Sequence, residues 1–504
     1  MRVLTALSLS ILLITSGSPV VCQVTADSQA RAAASANLGG NESAAPDSKG
    51  LGASITEIDQ ISHSILLKEI AFERYYTSYR AFASLDPRFR HLRYFLLQEA
   101  AAALSVANNV LALSQLEKHI KNPEAVHQQV IKRSVKIGLI GVIFEGGSSA
   151  FELGSNVLIA LKNKRRKVDP ESTIAGGIVK LKEIDNLIEK RGVMLCKFRE
   201  ENLLDGAKTG TAGDAATGLV APSNSVLSRL AIFEKEGLVI KSFRDWCVYE
   251  FADVFADAHS YQASNSAYFA MDAAASAVYA ASYLLSLRSF KRENLFGPSA
   301  IVGVVGDTFG IASAPGSSLA YSLLYKHWHR QFYKRMGAGS SGAESLAKKK
   351  LKELESVLAQ SGPEVLAECG ASVSRAQVFR IWSDRYDEFV QKRTISLRRL
   401  SRVALQSNIT GPAISAGFLA QDVMGLVGAY SLKHNPQSAN ALSFASYVPV
   451  VVAAGTSLGF TTGWYVGDHL HERHLKKHQA LPAELIDQRL RTLDELEVRL
   501  KASP

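Results

Sequence analysis

Long stretches without charge alternate with strongly charged blocks along this chain, and that alternation marks out its elements. The longest such stretch, residues 435–467, holds no Asp, Glu, Lys, Arg or His. About 20 apolar residues in a helix cross the hydrocarbon core of a bilayer, so the stretch predicts a membrane-spanning helix. Four glycines recur within it at every fourth position: Gly455, Gly459, Gly463 and Gly467. That spacing leaves one helix face smooth, and a second helix can pack closely against it. Two more stretches, 294–325 and 403–432, carry a single charge each, Asp307 and Asp422. Weaker apolar helices fall around 97–116 and 262–287 and at 141–154, interrupted by Glu99, Asp272, Glu145 and Glu152.

Three of these segments align without gaps. Residues 141–154, 303–316 and 450–463 superpose so that Gly154, Gly316 and Gly463 coincide and Glu145 falls on Asp307. A small-residue apolar helix precedes each copy, which makes a hairpin. An amphipathic helix follows each. Its apolar stripe is Ile178, Leu181, Ile184, Leu187 and Ile188 in the first copy, and Leu346, Leu351, Leu354 and Leu358 in the second. In the third it is Ile486, Leu490, Leu493, Leu496 and Leu500. Ahead of the hairpins stand aromatic helices. Phe72, Tyr75, Tyr79 and Phe82 match Phe379, Trp382, Tyr386 and Phe389 in spacing, with Phe243, Trp246, Glu250 and Phe251 as a looser middle copy.

The expected fold is therefore all-α, a multi-pass helical membrane protein built from three repeats of aromatic helix, apolar hairpin and amphipathic helix. The expected domains are repeat 1 over 54–205, a flexible linker over 206–224 rich in Gly, Ala and Thr, repeat 2 over 225–365 and repeat 3 over 366–504. Ahead of them, Met1-Arg2 and the apolar run that follows read as a signal peptide over 1–26, and the Ala/Ser/Gly/Asn-rich stretch 27–53 as a disordered tether. A leader of this kind routes the chain to the cell membrane.

Composition sharpens the partners. The chain of 504 residues is 47% hydrophobic with a mean hydropathy of +0.04, an average that hides its segregated blocks. Its net charge of +10 sits largely beside the apolar blocks, as in the basic run 162–167 and at Arg398-Arg399. Anionic lipid headgroups account for such placement, and without a recognition motif nucleic acid is not an expected partner. A homo-oligomer or contact with other membrane helices is the other expectation. Cys22, Cys196, Cys247 and Cys369 are far apart and form neither a zinc spacing nor a disulfide framework. One conflict stands: a cleaved leader places the large connecting segments outside, whereas Lys and Arg concentrate on that same side, against the positive-inside rule.

Candidate chemistry is sparse. Gly455-Thr456-Ser457-Leu458-Gly459 is a literal GxSxG, but a nucleophile elbow needs a strand-to-helix turn, and the zipper glycines explain the residues better. Gly337–Gly342 reads GxGxxG after a helix end instead of a strand, hence as a linker. Asp468, His471, His474 and His478 share one helix side, but Arg473, Lys476 and Lys477 interleave and repel a cation. No metal, cofactor or catalytic residue is therefore expected. The intramembrane carboxylates Glu99, Glu145, Glu152, Asp272, Asp307 and Asp422 are the strongest functional lead, since a charge in the bilayer costs about 3 kcal/mol or more. They either pair structurally with Asn108, Asn109, Gln98 or Gln421, or line a polar pathway. The sequence points first to a non-enzymatic scaffold or envelope assembly protein that packs through its glycines. The alternative is a channel or transporter.

Overall fold

The computed structural model describes residues 51–84, 88–121, 128–166, 169–208, 224–336, 342–432 and 435–502. Two compact units divide the chain, Met1–Ser54 and Ile55–Pro504. Of the first, residues 51–54 are described, as the opening turn of a helix. The signal peptide, the tether up to residue 50 and the linker over 209–223 lie outside the described residues.

The described residues are helical throughout, without a strand. In order they form α1 (Leu51–Ser84), α2 (Arg88–Lys121), α3 (Gln128–Arg165), α4 (Pro170–Lys208), α5 (Asn224–Ser289) and α6 (Phe296–Met336). There follow α7 (Ala343–Gln360), α8 (Pro363–Glu368), α9 (Gly370–Tyr430), α10 (Pro436–Lys477) and α11 (Pro482–Ala502). Pro170, Pro363, Pro436 and Pro482 each open a helix, where a missing N–H costs nothing. Pro87 stands between α1 and α2, and proline disfavours helix in the residue before it. No such break interrupts α5 or the first half of α9. Each aromatic stretch there is therefore continuous with the apolar helix that follows, in helices of 66 and 61 residues.

One end of the unit is a conventional helical body. The aromatic stretches of α1, α5 and α9 meet at its centre, with Phe72 against Phe251 at 5.4 Å and Phe243 against Phe379 at 4.6 Å between ring centroids. The amphipathic helices cover them: Leu181 and Ile184 of α4, Leu351 and Leu354 of α7, and Leu493, Leu496 and Leu500 of α11 are buried. On α7 the buried stripe is Ala343, Ala347, Leu351, Leu354 and Leu358. Leu346, five positions before Leu351, falls off that stripe and is exposed. Two of the buried acids are held by arginines. Glu236 receives Arg375 Nε at 2.5 Å and Arg191 at 3.1 Å, and Glu73 receives Arg489 at 2.6 Å.

The other end is a ring of six helices, each neighbour pair joined by named contacts. Gln98 of α2 donates to Ser148 of α3, and Asn156 of α3 to Ser266 of α5. Ser264 of α5 donates to the Ser317 carbonyl of α6, and Ser318 of α6 meets Asn408 of α9. Gly417 of α9 lies under Ala453 of α10. Phe95 of α2 stacks on Tyr465 of α10 at 4.1 Å, which closes the circle. Among the described residues six helices are long and apolar enough to cross a membrane, and they are these six. Their polarity is inverted relative to the body. On α3 the buried residues are Ser134, Gly138, Gly141, Ser148, Ser149, Glu152 and Asn156. Large aliphatics face outward instead, with Leu158 68%, Ile409 63%, Val452 62% and Leu319 61% exposed.

Candidate functional site

The middle of the ring is built on the inward face of α5. Asp272, Ser276, Tyr279 and Tyr283 follow one another at helical spacings of four, three and four, so all four point the same way. Tyr283 marks the centre. It receives a hydrogen bond from Asn108 of α2 at 3.2 Å, and its electrostatic neighbours are Glu145 of α3, Asp307 of α6, Asp422 of α9 and Tyr447 of α10. Asn108 thus touches the hydroxyl, and a polar side chain from each of the other four helices lies in the same part of the interior.

The acids form two pairs along this face, Asp307 with Asp422 near Tyr279 and Tyr283, and Asp272 with Glu145 beyond them. Asp307 is fully buried and accepts from the Tyr279 hydroxyl on Oδ1 at 2.6 Å. Its Oδ2 is buried with no donor among the described residues, while the carboxyl of Asp422 stands within hydrogen-bonding reach. Two carboxyls in such contact satisfy one another when they share a proton. Asp272 accepts from the Ser149 hydroxyl and lies beside Glu145. No Lys or Arg is among the partners described for these four acids.

Glycines make the room. An added Cβ at Gly138 would stand 2.6 Å from the Tyr283 ring, and one at Gly306 2.8 Å from the Tyr279 ring. At Gly146 it would meet Ser276 at 2.7 Å, and at Gly303 it would fall on the Asp422 carboxylate. Any side chain there expels a polar group from the centre.

The other acids marked in the sequence lie elsewhere. Glu152 pairs with Arg93, whose guanidinium also covers the Phe151 ring at 4.0 Å. Glu99 accepts from Thr461, and from Thr462 at 3.1 Å, tying α2 to α10. Among the described residues nothing beyond the local helix backbone lies within 4 Å of an added Cβ at Gly154, Gly455, Gly459 or Gly463, and Gly316 meets Met271 at 3.4 Å. Gly467 lies on the same helix, α10. Ser457 sits inside that unbroken helix and not on a strand-to-helix turn. His471, His474 and His478 adjoin ring to ring along it, and no three His, Cys, Asp or Glu side chains gather to hold a metal among the described residues. Gly342 precedes α7 with φ of 110°, and the rest of that glycine run lies outside the described residues.

The tyrosines were not marked in the sequence reading. Their signal was present all the same, as hydroxyl and carboxyl residues repeating at helical spacing through an apolar helix. No protein family matches the chain, no curated protein is similar to it, and no solved structure matches its fold.

Proposed function

We propose that the protein is a multi-pass membrane protein whose six-helix ring passes a small cation through its acid centre. The observation that carries this reading is the gathering of two acid pairs from four helices, Asp307 with Asp422 and Asp272 with Glu145, along one face of α5 without a described cationic partner. Acids inside apolar helices are costly, and where they gather in a bundle interior they mark ion and proton pathways. The inverted polarity of the ring supports lipid as its surroundings, since large aliphatics facing water have no compensation. The basic flanks of the ring fit anionic headgroups, and the N-terminal leader supports delivery to the cell membrane.

The helix order supports the threefold reading. A long aromatic-to-apolar path, a returning apolar helix and an amphipathic helix recur as α1/α2–α3–α4, α5–α6–α7 and α9–α10–α11. Glu145 and Asp307, which occupy matching repeat positions, both serve the same centre.

The test is flux through the purified protein in sealed liposomes carrying an internal pH dye and, separately, sodium- and potassium-sensitive dyes. Asp307→Asn and Asp422→Asn are expected to lower flux about a hundredfold, the scale of losing a positioned proton-transfer group, while size-exclusion profiles stay unchanged. Wild-type liposomes no leakier than empty ones would remove the conduit.

A second reading, a scaffold acting by helix packing, draws on the unfilled glycine face of α10 at Gly455, Gly459 and Gly463. A helix from another copy or another membrane protein is its occupant. This role is compatible with non-enzymatic function, and α10 contributes Tyr447 to the acid centre from a different face.

A further inference from the structure

The polar face of α5 does not end at the acid centre. Upstream of Asp272 it continues through Tyr268, Ser264, Ser260, Asp257 and Asp253, again every third or fourth residue. From Asp253 to Tyr283 each position of this stripe is Asp, Ser or Tyr. At 1.5 Å per residue the stripe is about 45 Å long. The hydrocarbon core of a bilayer is about 30 Å thick, so one helix face carries exchangeable protons across more than its depth.

The partners along the stripe are of the same kind. At the body end the Tyr325 hydroxyl donates to Asp253, and the Tyr321 hydroxyl donates to Asp257 at 2.5 Å. Both aspartates are half-buried. Further in, Tyr268 is hydrogen-bonded to Tyr94, Tyr94 to Ser149, and Ser149 donates to Asp272. Two hydroxyls on the stripe, Ser260 Oγ and Ser276 Oγ, are buried without a partner among the described residues. An unpaired hydroxyl in such a place keeps one donor and two acceptor sites free, which a passing proton or a water fills.

We propose that this face of α5 is a proton wire running from Asp253 and Asp257 to the acid centre. The proposal rests on the reading of the ring as a conduit and names its cargo as the proton. The rings of Tyr279 and Tyr283 occupy the middle of the ring, closely cupped by Gly306 and Gly138, and a chain of hydroxyls and carboxyls passes protons without an open bore. Arg80 and Arg393 stand beside Asp257 and Tyr321 at the mouth. In each transfer a carboxylate takes a proton from water or from a neighbouring hydroxyl. That hydroxyl receives another on its oxygen, and one proton enters as one leaves with no residue altered.

The test uses full-length protein in liposomes with an internal pH dye, proton entry being driven by a potassium gradient and valinomycin. Asp257→Asn, Ser260→Ala and Asp307→Asn are compared with wild type, with thermal unfolding as the folding control. The expected result is proton flux lowered at least about tenfold by Asp257→Asn and by Ser260→Ala, a tenth of the loss expected of a full proton-transfer group, and slower wild-type flux in D2O. Loss of flux in Asp307→Asn with full flux in Asp257→Asn and Ser260→Ala would overturn the wire and leave the conduit standing. Sodium flux equal to proton flux, read with the sodium dye in vesicles without valinomycin, would overturn the proton as cargo. No flux in the wild type would remove wire and conduit together.

Discussion

Single buried side chains in the body separate two ways of keeping a carboxyl from water. Glu236 and Glu73 are held by arginines at hydrogen-bonding distance, and removing one member of such a pair leaves an uncompensated charge. Glu69 is fully buried with no donor to either oxygen among the described residues. The cation that acts on it, Arg244, is already committed to Asp185 at 2.9 Å and Asp245 at 2.8 Å. Burial therefore pushes the Glu69 carboxyl well above its usual value of 4.5; Arg244 offsets this only in part, and Asp245 adds to it. The folded pKa is the higher one, so above 4.5 the unfolded chain loses this proton first. The stability that the neutral form contributes is complete below that value and declines as pH rises through the window up to the folded pKa. Glu69→Gln keeps the shape and cannot ionise. It is expected to match wild type near pH 5 and to exceed it at pH 8 by about 1.4 kcal/mol for each unit of pH that separates the unfolded pKa from the folded one within that range, because only the wild type loses a proton on unfolding. Thermal unfolding in nanodiscs at the two pH values measures this, and parallel pH profiles would count against it.

At the scale of elements, the glycines separate packing within the chain from packing beyond it. A Cβ at Gly417 would meet Ala453 Cβ at 2.7 Å and the Pro449 carbonyl at 3.1 Å, so α9 and α10 approach there backbone to backbone. Gly417→Leu is expected to destabilise the folded monomer by about 1–3 kcal/mol through overpacking. Gly459→Leu meets nothing within 4 Å and is expected to leave the monomer intact. If the scaffold reading holds, it lowers the apparent mass in crosslinking and light scattering; equal assembly in both variants makes the glycine register of α10 incidental. Much at this scale was legible in the sequence. The amphipathic stripes are local patterns of period 3.6: Leu181, Ile184, Leu351, Leu354, Leu493, Leu496 and Leu500 are buried where that period puts them, and Leu346, off the period, is exposed. Which glycines face a neighbour was not legible, because Gly138, Gly303 and Gly306 differ from Gly455 and Gly459 only in what stands opposite. Glu145 and Asp422 could be marked, but Tyr279 and Tyr283 lay hidden in an Ala/Ser/Tyr-rich helix of ordinary composition. Ring closure depends on α2 meeting α10, a pairing between the two ends of the chain that no local pattern encodes.

For the whole molecule, the decisive property is the reversal of polarity between the two ends of one unit. The body buries Phe72, Phe243, Phe379 and Trp382 and presents charge outward, as a domain in water does. The ring buries Ser149, Asn156 and Asp307 and presents Leu158, Leu319, Ile409 and Val452. A water-surrounded ring would expose a belt of aliphatics too large for a soluble monomer, whereas lipid makes the same belt the favourable arrangement. Single cysteines test this in a background with Cys22 and Cys196 replaced by Ser; Cys247 and Cys369 are buried. In sealed vesicles a membrane-impermeant maleimide is expected to spare cysteines at Leu158, Leu319, Ile409 and Val452. It should label cysteines at Val193 and Val498, both exposed on body helices, from one side alone. Labelling of the four ring positions at the rate of the body positions would place the ring in water and end the membrane reading. The side from which Val193 reacts decides between the two opposing signals: an external body follows the leader, and a cytoplasmic body follows the basic flanks. In either case the mouth of the α5 wire at Asp253 and Asp257 opens on the side that carries the body, because both stand where α5 passes from body to ring.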